Sequence, residues 1–170
     1  MSAALLSHIA DGGTGASLET EPRTIYLHPG QIVVVSQPAM ITTVLGSCVS
    51  VCLWDSVARV AGINHFLLPL LPMRGESEER YGNTAMQRLI DDVLALGGVM
   101  HRLTAKVFGG ANVLMPNNAR KSIGIQNVEV ARDILHLHEI EIAADETGGR
   151  HGRKLHFDTA TGGVWVKELV

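Results

Sequence analysis

The sequence ITTVLGSCVSVCLWD, residues 41–55, contains two apolar clusters rich in β-branched residues, separated by Gly46-Ser47. Clusters of this length, bounded by glycine and aspartate, are typical of short β-strands joined by turns. Similar clusters flank this stretch at Ile32 to Val35 and at Val60 to Leu67. The sequence therefore predicts a set of short, mostly antiparallel strands between Ile25 and Leu67.

After Leu67 the pattern changes to helices that alternate with strands. Apolar residues at helical spacing predict one helix from about Met86 to Leu94, followed by Gly97-Gly98 as a stop signal, and a second helix from about Asn127 to Leu137. Further strands are predicted over four segments: Leu103 to Phe108, Ile140 to Ala144, Lys154 to Asp158 and Val164 to Leu169. This order of elements predicts an α+β fold, in which a layered, sandwich-like β-sheet core is covered by two main helices.

The length and composition of the chain favour one globular domain. Of its 170 residues, 46% are hydrophobic and 18% are charged, which excludes a disordered chain. Residues 1–23 show no periodicity and are rich in small and polar residues. We therefore expect a mobile N-terminal extension over residues 1–23 and a single domain over residues 24–170.

Charge, hydropathy and cysteine content exclude several classes of protein. A formal net charge of -3 does not provide the basic surface that nucleic-acid binding requires. No apolar run approaches the roughly 18 residues of a membrane span, and residues 1–13 contain no Lys or Arg, unlike a signal peptide. Two cysteines, Cys48 and Cys52, are too few for a disulfide framework or a thiolate zinc site. We expect a cytoplasmic protein without a metal or a cofactor.

Cys48 is a candidate nucleophile because it follows Gly46-Ser47 at the start of a predicted strand. Glycine allows a sharp turn, which would direct the thiol and the backbone N–H groups of Ser47 and Cys48 to one point where an oxyanion forms. The alternative is that Cys48 is a small buried hydrophobic residue. Gly109-Gly110, at the end of a later predicted strand, predicts a close backbone approach beside the same turn.

His65 is a candidate base, since it is a lone imidazole in an apolar predicted strand. Antiparallel pairing of neighbouring strands would bring it near Cys48, where an imidazole stabilises the thiolate and lowers the pKa of the thiol. The alternative is a hydrogen-bonded core histidine. A third group must orient the ring, and either Thr42 or Thr43 on the preceding strand is suited to accept its distal N–H.

Several short motifs, taken in order, resemble one known family. They are Thr42-Thr-Val-Leu-Gly-Ser-Cys48-Val, Asn64-His65-Phe-Leu-Leu-Pro69, Lys106-Val-Phe-Gly-Gly-Ala111, Ile123-Gly-Ile-Gln-Asn127-Val, Ala144-Asp-Glu-Thr-Gly148-Gly149, Gly152-Arg153 and Asp158-Thr-Ala-Thr-Gly162. Together they look like the chemoreceptor glutamine deamidase family, CheD. The resemblance covers about residues 25–170.

The resemblance implies an enzyme that hydrolyses glutamine side chains of methyl-accepting chemotaxis receptors to glutamate with a Cys/His/Thr triad. Carried over by position, Cys48 is the nucleophile, His65 the base and Thr42 the orienting residue, with Thr43 as the nearest rival. The family fold is implied to be shared with bacterial toxins that deamidate host proteins. A CheC-type phosphatase of the response regulator is an implied partner. Two other functions stay open, a non-catalytic adaptor that binds the phosphatase and a cysteine peptidase.

A local basic cluster is the candidate docking surface for the receptor. Arg150, Arg153 and Lys154 lie close together in a chain that is otherwise mildly acidic. Because the implied substrate is an acidic helical bundle, such a patch would supply the local electrostatic attraction. The alternative is an ordinary solvated hairpin.

Overall fold

The computed structural model of the protein describes residues 22–70, 78–113 and 122–170. These residues form nine strands: β1 (Arg23–Tyr26), β2 (Ile32–Val35), β3 (Ala39–Leu45), β4 (Val49–Asp55), β5 (Val60–Asn64), β6 (Thr104–Gly109), β7 (Glu141–Thr147), β8 (Gly152–Asp158) and β9 (Gly163–Leu169). The α-helices are α1 (Gly82–Ala95) and α2 (Ile123–Leu137), and two 3₁₀ turns lie at Glu78–Arg80 and Met100–Arg102. Within the described ranges, neither α-helix is long and apolar enough to cross a membrane.

The strands form two sheets. The four-stranded sheet has the order β1-β3-β8-β9, and the five-stranded sheet has the order β2-β5-β4-β6-β7. Pairing is antiparallel except between β1 and β3 and between β6 and β7, which run parallel. The prediction of mostly antiparallel strands is therefore confirmed. Of the two exceptions, β1 and β3 have β2 between them in the chain, and β6 and β7 are connected through helix α2.

Two apolar layers hold the fold together. One lies between the sheets and includes Ile41, Leu45, Cys52 and Phe157. The other lies between the five-stranded sheet and the helices, where residues such as Leu89 of α1 are fully buried. Because the apolar residues of β4 alternate between these two layers, this strand is buried on both faces. The predicted α+β fold, a layered β-sheet core covered by two helices, is confirmed.

Element boundaries differ from the prediction in a few places. Helix α2 begins at Ile123, four residues before the predicted start, because Ser122 caps it: its Oγ accepts a hydrogen bond from the N–H of Ile125 at 3.3 Å. Strand β1 already includes Arg23, which pairs with Ala39. The rest of the predicted extension, residues 1–21, lies outside the described residues.

Candidate active site

The site is built on the turn between β3 and β4, which presents Cys48. Three consecutive carbonyl groups of this turn accept hydrogen bonds: Gly46 from the N–H of Ala111 at 2.9 Å, Ser47 from Nδ2 of Asn127 at 3.0 Å, and Cys48 from the N–H of Gly110 at 2.8 Å. Among the described residues, the N–H groups of Ser47 and Cys48 donate to no backbone carbonyl. The turn is thus fixed from outside, with two N–H groups left available for an anion.

The segment after β6 packs tightly against this turn. Gly109 has φ +106°, and a Cβ atom placed there would lie 2.2 Å from the carbonyl oxygen of Cys48. An L-residue would therefore meet both backbone strain and a direct clash. The predicted close backbone approach of Gly109-Gly110 to the turn is confirmed.

His65 follows the end of β5 and lies on the same sheet face as Cys48. Val49 and Phe66 exchange two backbone hydrogen bonds, at 3.1 and 3.0 Å, and Cys52 pairs with Ile63 in the same register. This register makes Cys48 and His65 diagonal neighbours, which brings their side chains to roughly 7 Å or closer. Cys48 is partly exposed and packs against the layer between the sheets, while His65 is only 1% exposed.

The hydroxyl of Thr43 orients the imidazole of His65. Oγ1 of Thr43 donates to the carbonyl oxygen of Leu27 at 2.8 Å and lies 2.8 Å from Nδ1 of His65. Since the single hydroxyl proton is used on Leu27, Nδ1 must carry a proton and donate it to Oγ1. The neutral ring therefore has its free lone pair on Nε2, which is buried and has no hydrogen-bond partner within the described chain.

Thr42 does not make the hydrogen bond to His65 that the family resemblance assigned to it. Its Oγ1 lies 2.9 Å from Nδ1 of His156, on the outer face of the four-stranded sheet. The reason is strand alternation, since Ile41, Thr43 and Leu45 face the buried layer, while Thr42 and Val44 face the other way. The expected hydrogen bond from His65 to Thr42 is wrong, and the rival Thr43 makes it.

Burial sets the protonation of both reactive groups. Desolvation raises the pKa of the Cys48 thiol above its ordinary value, an effect that the residue's own N–H partly offsets. Desolvation lowers the pKa of His65 to about 4. At neutral pH the pair is therefore a neutral thiol beside a neutral imidazole. The expectation that the imidazole holds Cys48 as a thiolate of lowered pKa is wrong for the resting site.

A pocket of about 410 Å³ opens beside Cys48. Three segments line it: residues 46–48 of the turn, residues 111–113 after β6, and residues 122–124 at the start of α2. The N-terminal end of a helix carries partial positive charge, which favours a negative group forming there. The start of α2 as part of the pocket was not predicted from the sequence, although the motif that begins at Ile123 lies there.

The three basic residues expected to dock a receptor separate in the structure. Arg153 is 6% exposed, and its guanidinium donates to the carbonyl groups of Glu146 and Gly148, so it holds a turn together and is not a docking residue. Lys154 lies on the outer face of the four-stranded sheet, opposite Val44. Arg150 is exposed and follows Gly149, whose carbonyl accepts from the N–H of the pocket residue Asn112 at 2.9 Å.

Cys52, the second cysteine, is buried and is not part of the candidate active site. It is 2% exposed in the layer between the sheets, and burial strongly raises the pKa of its thiol. Both cysteines are free thiols. No group of three His, Cys, Asp or Glu side chains that could share a metal ion occurs within residues 22–70, 78–113 and 122–170.

Comparison with known proteins gives a consistent set of relatives. Residues 68–168 match the family model described as CheD chemotactic sensory transduction. The chain is 46% identical over 145 residues to the probable chemoreceptor glutamine deamidase CheD 1 of Anaeromyxobacter dehalogenans, covering 85% of this chain and 84% of that protein. It is also 46% identical over 142 residues to the probable chemoreceptor glutamine deamidase CheD of Trichlorobacter lovleyi, covering 84% and 88%.

Similarity to solved structures is weaker. The crystal structure of the Bacillus licheniformis hypothetical protein YfiH has a TM-score of 0.45 and 13% sequence identity, covering 68% of this chain and 49% of that one. That level of similarity carries no argument about function.

Proposed function

This chain belongs to the CheD family, and from that premise and the geometry around Cys48 we propose that it hydrolyses glutamine side chains of chemoreceptors to glutamate. The observation that carries the proposal is the chain of contacts from Leu27 through Thr43 to His65. It fixes the imidazole with a free lone pair on the sheet face that also bears the thiol of Cys48. A histidine kept only for packing would be expected to satisfy both ring nitrogens, whereas Nε2 of His65 has no hydrogen-bond partner among the described residues.

In the proposed first half-reaction, Sγ of Cys48 attacks the carboxamide carbon while Nε2 of His65 takes the thiol proton. The carbonyl oxygen becomes an oxyanion, for which the N–H groups of Ser47 and Cys48 are the donors. The carbon–nitrogen bond then breaks, and the proton on Nε2 goes to the departing ammonia. A thioester with Cys48 remains.

In the second half-reaction, a water molecule attacks the thioester and gives a proton to Nε2 of His65. The carbon–sulfur bond breaks, Sγ of Cys48 recovers the proton, and the side chain leaves as glutamate. Thr43 makes no bond to the substrate, because its proton is committed to Leu27. Its role is to hold Nδ1–H, so that Nε2 serves as the base in both half-reactions.

The partner and the compartment follow from the same premise. The proposed substrate is the cytoplasmic part of a chemoreceptor, so we infer a cytoplasmic protein. The docking candidates for an acidic receptor surface are the exposed Arg150, next to the rim of the pocket, and Lys154 on the outer face of the four-stranded sheet. A CheC-type phosphatase partner remains a prediction from the family resemblance.

The test is incubation of the full chain with a receptor cytoplasmic fragment, followed by an ammonia assay and peptide mass mapping. We expect ammonia release and conversion of particular glutamines to glutamate. Cys48→Ala should abolish both, whereas the matched variant Cys52→Ala, which removes the other thiol from the buried layer, should remain active.

Other outcomes distinguish the alternatives. Cleavage of the fragment would identify a cysteine peptidase. If the wild-type protein binds a CheC-type phosphatase but leaves the receptor fragment unchanged, the result would favour the adaptor. Equal activity in the Cys48→Ala variant would refute the covalent mechanism.

A further inference from the structure

Asn127 of α2 is the side chain that holds the turn before the nucleophile. Its Nδ2 donates to the carbonyl of Ser47 at 3.0 Å and to the carbonyl of Leu67 at 2.9 Å. Both partners are carbonyl oxygens, so the orientation of the amide is determined, because the reverse orientation would face oxygen against oxygen. Asn127 thus ties the turn that carries Cys48 to the segment that follows His65.

Asn127 supplies the side-chain hydrogen bond to this turn, whereas the neighbouring carbonyls of the turn are held by backbone N–H groups. The carbonyls of Gly46 and Cys48 are held by the backbone N–H groups of Ala111 and Gly110, so these two contacts use no side-chain donor. The carbonyl of Ser47 is held by the Asn127 amide. A single substitution at position 127 would therefore release the middle peptide of the turn.

Because the peptide between Ser47 and Cys48 is planar, the hydrogen bond from Asn127 also determines where the N–H of Cys48 points. In a trans peptide the C=O of Ser47 and the N–H of Cys48 are coplanar and point in opposite directions. Since the C=O points at Asn127, the N–H of Cys48 points away from it. This N–H donates to no backbone carbonyl among the described residues, so it is available on the side of the peptide opposite Asn127.

We propose that Asn127 is a positioning residue that directs the N–H of Cys48 toward the oxyanion, an inference that rests on the proposed function. Asn127 is fully buried, and its Oδ1 has no partner among the described residues. An amide retained for stability alone would be expected to satisfy both of its polar atoms. The two hydrogen bonds that Nδ2 donates therefore account for an asparagine at position 127, since its Oδ1 makes no hydrogen bond within the described chain.

The test compares two reactions of Cys48 in the full-length protein at alkaline pH. With p-nitrophenyl acetate, Sγ attacks the ester carbon, an oxyanion forms, and p-nitrophenolate leaves. With iodoacetamide, Sγ displaces iodide and no oxyanion forms. In Asn127→Ala we expect acylation to slow by about 10- to 100-fold, and alkylation to stay within about twofold.

Matched variants separate positioning from packing. Asn127→Leu keeps a branched side chain of similar size but has no donor, so its acylation should fall as in Asn127→Ala. Leu135→Ala truncates a buried residue of the same helix and should lower stability while leaving the ratio of the two rates unchanged. Acylation and alkylation that fall together, or an unchanged ratio in both Asn127 variants, would overturn the inference.

The proposed function fails by a different result. A wild-type chain that shows the expected ratio but releases no ammonia from a receptor fragment would refute the deamidase and leave the role of Asn127 standing. A wild-type chain that deamidates the fragment at a rate equal to that of both Asn127 variants would refute the role of Asn127 and leave the deamidase standing.

Discussion

Replacing Thr43 by valine should disable the base of the site while preserving its shape. Valine has nearly the same volume but no hydroxyl, so two buried groups lose their partner: Nδ1–H of His65 and the carbonyl of Leu27. An unsatisfied buried polar group costs about 1–3 kcal/mol. We therefore expect a loss of about 2–4 kcal/mol in the free energy of unfolding.

The effect on catalysis should exceed the effect of a merely less stable protein. Without an acceptor at Nδ1, the ring of His65 no longer prefers the tautomer with a free lone pair on Nε2. General base catalysis contributes about 10²- to 10⁴-fold, and since the imidazole itself remains, we expect kcat for ammonia release to fall by about 10- to 100-fold. Thr43→Ser, which keeps the hydroxyl, should restore most of the rate.

Thr42→Val is the matched control. It removes the same hydroxyl one residue away, where the partner is His156 on the outer face of the four-stranded sheet. That imidazole is only partly buried, so water replaces the lost contact and kcat should change by no more than about twofold. A larger loss of kcat in Thr42→Val than in Thr43→Val would refute the assignment of Thr43.

Four further predictions concern titratable and charged residues. The rate of Cys48 alkylation should rise with pH through the alkaline range, because burial raises its thiol pKa; a plateau between about pH 5 and 8 would instead reveal an ion pair with His65. Burial lowers the pKa of His65 to about 4, so the unfolded chain binds this proton first as the pH falls, and up to about 3 kcal/mol of stability should be lost between about pH 6.5 and 4. Denaturant unfolding at several pH values measures this loss, and His65→Gln should flatten the profile; an equally steep profile in that variant would assign the loss to other groups. Arg150→Glu should raise KM for a receptor fragment without slowing alkylation, and an unchanged KM would contradict its docking role. Arg153→Ala should lower Tm because it breaks the two contacts that this buried side chain makes to the carbonyls of a turn, and an unchanged Tm would contradict that structural role.

Much of the fold was predictable because short-range patterns determine it. The apolar clusters identified the strands, and the helical spacing identified α1 and most of α2. The start of α2 was missed because Gly124 interrupts the pattern, although Ser122 supplies the N-cap. The parallel pair β6–β7 follows from the crossover through α2, an order of elements that the sequence already showed. The parallel pair β1–β3 was not predictable from local pattern, because β2, which lies between them in the chain, belongs to the other sheet.

The errors at the site have two different physical causes. The choice of Thr42 over Thr43 and the docking role of Arg153 both ignored strand alternation, which places Thr43 beside Ile41 and Arg153 beside Leu155 on buried faces. The alternation was readable in the sequence. The protonation of Cys48 was not, because desolvation between two sheets depends on the whole fold.

The same desolvation determines when Cys48 becomes reactive. Burial lowers the pKa of His65 to about 4 and raises the pKa of the Cys48 thiol above its ordinary value, so both shifts oppose transfer of the thiol proton to the imidazole. The neutral pair therefore predominates in the free protein. In the proposed mechanism, charge moves onward from sulfur to an oxyanion at the turn, and we infer that the carboxamide thereby completes the activation of Cys48.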